Sequence, residues 1–213
     1  MKQLIIFATG NKGKIREIRD IITDPDTEVL SMKEAGVAAD PDESGATFEE
    51  NALIKARAVA KLVRQKIEDG TFFFDGADGT RSFDTDDIQI TVMSDDSGLV
   101  IDALNGEPGI YSARYGPGHT ASDKERYEYL LKKLENKADR SARFVCCICC
   151  TFPDGRILTA RGECEGEILT APKGSNGFGY DPVFHPLCTD KGMAELSPAE
   201  KNAISHRDRK SVV

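Results

Sequence analysis

Residues 3–14 read Gln3-Leu4-Ile5-Ile6-Phe7-Ala8-Thr9-Gly10-Asn11-Lys12-Gly13-Lys14, and this stretch indicates the fold class. Its apolar first half predicts a buried strand and the Gly-Asn pair predicts a turn. Regularly spaced isoleucines from Ile15 to Ile22 then predict a helix. A strand, a glycine turn and a helix, in that order, are typical of the start of an α/β domain.

The same alternation continues along the chain. Thr47 and Glu50 predict a capped helix to about Lys66, and a strand over residues 88–93 leads into a turn at Asp95-Asp96-Ser97-Gly98. Other patterns predict a helix capped by Thr120 and Asp123, a hairpin over residues 143–152 and 156–164, and a helix beginning at Ser197. No repeat or long linker divides the chain. We therefore predict a single mixed α/β domain over residues 1–213.

One stretch departs from this regular pattern. Residues 68–87 are rich in Gly and Asp and contain Phe72-Phe73-Phe74. The composition predicts a surface hairpin or excursion.

Composition limits the classes of function. The chain has 213 residues, 39% of them hydrophobic, so it can bury a sizeable core. A net charge of −8 argues against a nucleic-acid polymer as partner, whereas a small anion bound together with a metal ion is compatible with it. The apolar run at the N-terminus is too short for a membrane span or a signal peptide. We expect no membrane association and a cytoplasmic location.

Four of the six cysteines, Cys146, Cys147, Cys149 and Cys150, form overlapping C-x-x-C patterns. The pattern is compatible with a metal or redox site, but the surrounding residues predict a buried strand. Because residues three apart on a strand point to opposite faces, neither pair could chelate one ion. We interpret these cysteines as core residues of a protein in a reducing compartment.

The turn and helix start at residues 9–14 are a candidate phosphate site. Amides at a helix start, two glycines that admit a close ligand, and the side chains of Lys12 and Lys14 are the elements of a phosphate cradle. The spacing of a Walker A loop is absent. Such a turn is also typical of a plain connection between a strand and a helix.

Asp95 and Asp96 are candidate acids at the predicted end of a strand, where ligands of open α/β sheets bind. Adjacent carboxylates diverge, so one can face a metal ion or a water molecule while the other anchors the loop. Mg²⁺ is usually held by one or two carboxylates together with substrate phosphates. The alternative is an acidic turn without chemical function.

Two further segments are candidates for binding a base. Phe178 and Tyr180 lie among three glycines of residues 175–182, where a flat base could stack or the rings could cover the core. Lys201, His206 and Arg207 supply hydrogen-bond donors near the last helix, although such residues are usually structural.

In their order along the chain, these segments resemble the inosine triphosphate pyrophosphatase family. The resemblance covers nearly the whole chain and rests on Thr9-Gly10-Asn11-x-x-Lys14, Thr47-Phe48-x-Glu50-Asn51-Ala52-x-x-Lys55-Ala56, Asp95-Asp96-Ser97-Gly98-Leu99, Pro108-Gly109-Ile110-Tyr111-Ser112-Ala113-Arg114-Tyr115, Gly177-Phe178-Gly179-Tyr180-Asp181-Pro182 and Glu200-Lys201-Asn202-x-x-Ser205-His206-Arg207. It implies an elongated α/β protein, with a central mixed β-sheet flanked by helices and an active-site cleft between two lobes. It also implies a homodimer that uses Mg²⁺ to hydrolyse ITP, dITP and XTP to the monophosphate and pyrophosphate.

By position, the resemblance implies roles for the candidate residues. Asp96 is expected to be the general base and a metal ligand, with Glu43 as a second metal carboxylate and Asp95 as support. The small-molecule nucleotide is expected to contact Thr9, Gly10, Asn11, Lys12, Gly13, Lys14, Lys55 and Ser97 with its phosphates, and Phe178, Gly179, Tyr180, Asp181, Lys201, His206 and Arg207 with its nucleoside. Donors from His206 or Arg207 would pair with O6 of hypoxanthine or xanthine but would face the amino donor of adenine.

Other functions stay open at this point. The same fold could hydrolyse other modified nucleotides, or it could be a nucleotide sensor that does not hydrolyse, although the combination of acids and lysines speaks against a sensor. Set beside the family it resembles, the chain has an insertion at residues 68–87, which is expected to be a dimer contact or neutral decoration rather than a lid. Few residues follow Arg207, so we expect the base-reading residues to be held less firmly than in relatives.

Overall fold

The computed structural model describes residues 2–73, 88–118 and 120–207. Its strands and helices, in chain order, are β1 (Lys2–Phe7), α1 (Lys12–Ile21), β2 (Thr27–Ser31), α2 (Phe48–Glu68), β3 (Ile88–Ile101), α3 (Asp123–Lys133), β4 (Ser141–Thr151), β5 (Ile157–Ile168), β6 (Phe184–Pro186) and α4 (Pro198–Ile204). The alternation of strands and helices confirms the predicted α/β class.

The strands of the described residues form one six-stranded sheet in the order β2-β1-β3-β4-β5-β6. β1 is parallel to both of its neighbours, whereas β5 and β6 are antiparallel, so the sheet is mixed as predicted. After β1 the chain returns through α1 to one side of that strand and later through α2 to the other side. The carboxyl end of β1 is therefore a switch point, the place where open α/β sheets bind ligands.

β3 is longer than the sequence predicts. The expected acidic turn at residues 95–98 is wrong, because β3 continues from Ile88 to Ile101. β1 pairs with β3 only as far as Phe7 opposite Met93, while β4 lies along the other side of β3. Long-range pairing in the sheet thus overrides the turn preference of Ser, Asp and Gly. Asp95 and Asp96 lie within a strand, just beyond the end of its parallel neighbour.

The chain divides into two compact units within this single α/β fold. Unit 1 comprises Met1–Asp96 and Cys147–Ala160, and unit 2 comprises Ser97–Cys146 and Arg161–Val213. The core of unit 2 is formed by large side chains that include Leu130, Leu134, Phe184 and Met193.

Side-chain alternation along β1 divides the core of unit 1 into two clusters. Leu4 and Ile6 pack against Val59 of α2, whereas Ile5 and Phe7 pack against Ile18 of α1. Because successive strand residues point to opposite faces, α1 and α2 cover opposite faces of the sheet at β1.

Most of the predicted helix starts are confirmed, and one is wrong. Thr47 caps α2, and Ser197 and Glu200 form a capping box at α4. The cap of α3 is Ser122, in a reciprocal box with Glu125, rather than Thr120 or Asp123. The residue that precedes the first helical turn takes the cap, and Asp123 is already inside that turn.

Part of the predicted insertion belongs to the core. α2 continues to Glu68, and the Phe72 side chain is only 2% exposed within the core of unit 1. An aromatic ring that can reach the core is buried by the hydrophobic effect, even when Gly and Asp surround it in the sequence. The rest of the predicted insertion, residues 74–87, lies outside the described residues.

The cysteines of β4 are core residues, as predicted. Cys146, Cys147 and Cys149 are buried, Cys150 is half-buried, and no disulfide bond joins any of the cysteines within the described residues. Burial raises the pKa of both Cys149 and Cys150 to about 11, which keeps these thiols protonated at neutral pH. In the described part of the chain, no helix has the length and apolar character needed to cross a membrane.

Candidate functional site

Asp95 and Asp96 are each paired with a lysine from a different helix. Lys14 of α1 forms an ion pair with Asp95, whereas Nζ of Lys55, on α2, lies 2.7 Å from Oδ1 of Asp96. Alternation along β3 is the cause, since neighbouring strand residues point to opposite faces and the two helices cover those faces. The prediction that the two carboxylates diverge is confirmed.

Glu43 lies beside the same lysine. Its Oε1 is 3.5 Å from Nζ of Lys55, so this ammonium group contacts two carboxylates. The side chains of Lys55 and Asp96 are only 13% and 9% exposed. The second carboxylate oxygen of Asp96, Oδ2, is buried, and no group in the described residues donates a hydrogen bond to it. A buried acceptor without a partner opposes folding, so this oxygen is available to a water molecule, a metal ion or a ligand.

The environment of Asp96 also changes its acidity. Burial raises the pKa of this carboxyl above its ordinary value of 3.8, and Glu43 raises it further. The positive charges of Lys55 and Lys14 lower the pKa but do not cancel the effect of burial. A carboxylate with a raised pKa accepts a proton more readily, as a general base requires.

The candidate phosphate turn offers fewer free amides than the sequence suggests. Oδ1 of Asn11 accepts hydrogen bonds from the amides of Gly13 (2.8 Å) and Lys14 (3.2 Å), and the Asn11 amide donates to Oγ1 of Thr9 (3.2 Å). Within the described residues, this leaves the amides of Gly10 and Lys12 without a hydrogen-bond partner. Apart from Gly10 and its two chain neighbours, no atom of the described residues lies within 4 Å of the point where a Cβ on Gly10 would stand. An anion therefore has room to approach the backbone at Gly10.

In unit 2, the ring of Phe178 lies close to two cationic side chains. Nζ of Lys201 is 4.6 Å from the centre of its ring, and Cζ of Arg207 is 5.8 Å away. Oδ2 of Asp181 accepts hydrogen bonds from Nζ of Lys201 (2.5 Å) and from the amide of Phe178 (2.8 Å). Asp181 thus holds the aromatic loop in place and offsets the charge of the buried Lys201.

His206 and Arg207 are held firmly in the structure, and the expectation that they are held less firmly than in relatives stays a prediction. They are only 5% and 8% exposed. The His206 ring stacks on Phe144, with ring centres 5.1 Å apart and planes 16° apart, and Nη2 of Arg207 donates to Oγ of Ser97 at 2.7 Å. Aromatic stacking and a buried hydrogen bond fix these residues in place.

Tyr180 has a structural position. Its ring is part of the core of unit 2, and its hydroxyl donates to the carbonyl of Ser112 at 2.8 Å. A contact between Tyr180 and a nucleoside therefore remains a prediction for the backbone of this residue and not for its ring. The amide of the preceding residue, Gly179, donates to Oδ2 of Asp123 at 2.7 Å. The sequence suggested only a capping role for Asp123, so its contact with this loop was not foreseen.

The structure thus brings the candidate residues together in two sets. Unit 1 holds residues 9–14, Glu43, Lys55, Asp95 and Asp96, and unit 2 holds Ser97, residues 178–181, Lys201, His206 and Arg207. Asp96 of the first set and Ser97 of the second are consecutive residues in the chain.

Comparison with known proteins shows a consistent set of relatives. The model of the Ham1 family matches residues 5–210. The dITP/XTP pyrophosphatase of Deinococcus deserti is 40% identical over 205 residues, which cover 96% of this chain and 84% of that protein. The dITP/XTP pyrophosphatase of Staphylococcus aureus is 42% identical over 207 residues, with coverages of 97% and 91%. The solved structure of a HAM1 protein from Coxiella burnetii aligns with a TM-score of 0.75 and 38% identity, covering 97% of this chain and 93% of that one.

Proposed function

The chain belongs to the Ham1 family, and on this premise we propose that Asp96 is the general base with which it hydrolyses deaminated purine nucleoside triphosphates. The relatives are named for this activity on dITP and XTP, and the products are the monophosphate and pyrophosphate. The observation that carries the catalytic assignment is the state of Asp96. Its pKa is raised by burial, Oδ1 contacts Lys55, and Oδ2 has no hydrogen-bond partner among the described residues.

In the proposed reaction, the two carboxylate oxygens of Asp96 have different roles. Oδ2 accepts a proton from a water molecule while the water oxygen forms a bond to the α-phosphorus. The bond from that phosphorus to the bridging oxygen breaks, and pyrophosphate leaves with the electron pair. Lys55 holds Oδ1 and so fixes the direction in which Oδ2 points. Positive charge from Lys14 and Lys55 would offset the charge of the departing pyrophosphate.

The residues present fit a divalent cation. Asp96 and Glu43 share one lysine, and an ionised carboxylate has lone pairs enough for both a cation and a water molecule. Across the described residues, no three His, Cys, Asp or Glu side chains converge. Mg²⁺ is commonly held by one or two carboxylates together with substrate phosphates, so two are enough. We propose that Asp96 and Glu43 hold Mg²⁺, which would lower the pKa of a water molecule and neutralise phosphate charge.

The remaining candidates are proposed to bind the rest of the nucleotide. Residues 9–14 would contact the phosphates, with the open space at Gly10 as the supporting observation. The Phe178 ring would stack on the base, while His206 or Arg207 would donate to O6. A site built to donate to O6 rejects adenine, because its buried donors would face another donor.

A homodimer and a cytoplasmic location also belong to the proposal. Six cysteines without a disulfide bond among the described residues support a reducing compartment. The dimer rests on the family resemblance and stays a prediction, which light scattering on the purified chain would test. The two alternative functions, hydrolysis of other modified nucleotides and a sensor without hydrolysis, are not favoured, because the relatives share the dITP/XTP activity and a pure binder has no need of a buried base.

A panel of nucleotides tests the proposed function directly. The purified chain is incubated with Mg²⁺ and dITP, XTP, dATP or dGTP, and monophosphate, pyrophosphate and orthophosphate are measured separately. We expect monophosphate and pyrophosphate in equal amounts from dITP and XTP. Release of orthophosphate would contradict the cleaved bond, and equal rates on dATP and dITP would contradict the base specificity.

A further inference from the structure

We infer that Asn51 is a positioning residue that holds the loop carrying Glu43 and so sets this carboxylate beside Lys55 and Asp96. The inference rests on the proposed function of Asp96 and Glu43. It gives a role to a buried polar side chain that has no other task in the proposed reaction.

Two side chains in the first turn of α2 accept hydrogen bonds from this loop. The amide of Gly45, two residues after Glu43, donates to Oδ1 of Asn51 at 2.9 Å. The next amide, Ala46, donates to Oε2 of Glu50 at 2.6 Å. Two adjacent amides of the loop are therefore fixed by two adjacent side chains of one helix.

Gly45 shows how closely the loop approaches the helix. A Cβ on Gly45 would stand 2.7 Å from Oδ1 of Asn51 and 2.7 Å from Cβ of Glu50. Such distances are shorter than normal contacts, so any side chain at this position would push the loop away from α2. A glycine is required here for the close approach.

The same helix carries the lysine that joins the two acids. Asn51 and Lys55 are four residues apart and therefore lie on one face of α2, one turn from each other. Nζ of Lys55 is 3.5 Å from Glu43 and 2.7 Å from Asp96. A shift of the loop at Gly45 would change the first of these distances and leave the second unchanged. Asn51 thus controls the spacing between Glu43 and Asp96.

The burial of Asn51 shows that stability alone does not explain the residue. Its side chain is 0% exposed, and Nδ2 has no hydrogen-bond partner in the described residues. An unpaired buried amide N–H opposes folding, so an apolar side chain of similar size would suit the core better. The side chain of Asn51 contributes the acceptor Oδ1, and the donor to this oxygen belongs to the loop that carries Glu43.

Metal binding without substrate tests the inference. Mn²⁺ alone is titrated into the full chain, free Mn²⁺ is followed by electron paramagnetic resonance, and urea unfolding is measured in parallel. Asn51→Ala removes the acceptor, and Gly45→Ala displaces the same loop while Asn51 stays in place. Val63→Ala is the matched control, because it deletes buried atoms of α2 far along the helix from the loop.

We expect both loop variants to bind Mn²⁺ about tenfold more weakly, the lower end of the range for residues that orient metal ligands. Val63→Ala should lower stability without a comparable change in Mn²⁺ affinity. Unchanged Mn²⁺ affinity in Gly45→Ala and Asn51→Ala, with a loss in Glu43→Gln, would overturn the role of Asn51 and leave the metal assignment intact. An equal loss in Val63→Ala would overturn it as well.

Two further results separate the remaining cases. If Asn51→Ala does not fold, Gly45→Ala alone decides, since it keeps every buried side chain of α2. If neither Glu43→Gln nor Asp96→Asn weakens Mn²⁺ binding, the metal assignment in the proposed function fails, and the positioning role fails with it.

Discussion

Replacement of Asp96 with Asn tests the catalytic assignment and the electrostatics of the site in one variant. Asn has nearly the same shape as Asp but cannot accept the proton of the attacking water. We expect kcat for dITP to fall by about 10²–10⁴-fold, the usual contribution of a general base, which corresponds to roughly 3–5 kcal/mol in the activation barrier.

The same variant is expected to be more stable than the wild type at neutral pH. Burial raises the pKa of Asp96 above 3.8 in the folded chain, so the folded chain binds this proton more tightly than the unfolded chain. Stability therefore falls as pH rises from the ordinary pKa of Asp to the raised one, and it is constant above that. Each pH unit between the two values corresponds to about 1.4 kcal/mol. Asn mimics the protonated acid at every pH and avoids this loss, while Glu43 remains beside Lys55, so the ammonium group keeps a carboxylate partner. Removal of Lys55 instead leaves the carboxylate of Asp96 without its cation.

Two measurements on the same preparation check these expectations. Pyrophosphate release gives kcat, and urea unfolding without metal, at a pH below the Asp range and at neutral pH, gives the stability difference. Asp95→Asn is the matched control, because it removes the partner of Lys14 on the other face of β3 and should lower stability by about 3–5 kcal/mol. Turnover of Asp96→Asn within about tenfold of the wild type would refute the role of the base. Lower stability than the wild type at neutral pH would refute the electrostatic reasoning.

Three further substitutions test other parts of the site. Lys55→Met should lower the free energy of unfolding by about 3–5 kcal/mol, because it breaks a buried ion pair, whereas the exposed Lys61→Met on the same helix should change it by less than about 0.5 kcal/mol. Because Lys55 lowers the pKa of Asp96, its loss should also move the acid limb of the pH–rate profile to higher pH; an unmoved limb contradicts Asp96 as the titrating group. Gly10→Ala should unfold at the same urea concentration, since no described residue other than its chain neighbours lies within 4 Å of the new Cβ. It should raise KM for dITP, and an unchanged KM contradicts a phosphate at this turn. Arg207→Ala should reduce the preference in kcat/KM for dITP over dATP by at least about tenfold. An equal loss of kcat/KM on both nucleotides would show that Arg207 supports the site without distinguishing the bases.

The fold could be predicted from the sequence where apolar residues form a continuous run or a helical stripe. Continuous apolar runs indicated β1 and β4, and the apolar stripe after Thr47 indicated α2. β3 was predicted too short because Ser, Asp and Gly at positions 94–98 are residues typical of turns. Whether such residues stay in a strand depends on a neighbouring strand distant in the sequence, which local preference does not reveal.

The identity of the site residues could be predicted better than their contacts. The acids and lysines stand in recognisable motifs, but the partner of each depends on which helix covers which face of the sheet. Asn51 stands in a recognised motif, yet only the structure shows that its Oδ1 holds the amide of Gly45. Tyr180 shows the opposite case, because an aromatic residue in a glycine-rich loop suggested ligand stacking and its ring instead fills the core.

The unequal roles of two adjacent acids follow from the alternation of one strand. Ser94 and Asp96 point to the same face of β3, and Oγ of Ser94 donates to the carbonyl of Ala52 on α2 at 2.6 Å. This bond fixes α2 against β3 two residues before Asp96, and Lys55, three residues after Ala52, then reaches Asp96. Asp95 points to the other face, where Lys14 pairs with it. A one-residue slip of β3 would exchange the two acids. The register of the sheet therefore decides which carboxylate keeps an oxygen free for chemistry.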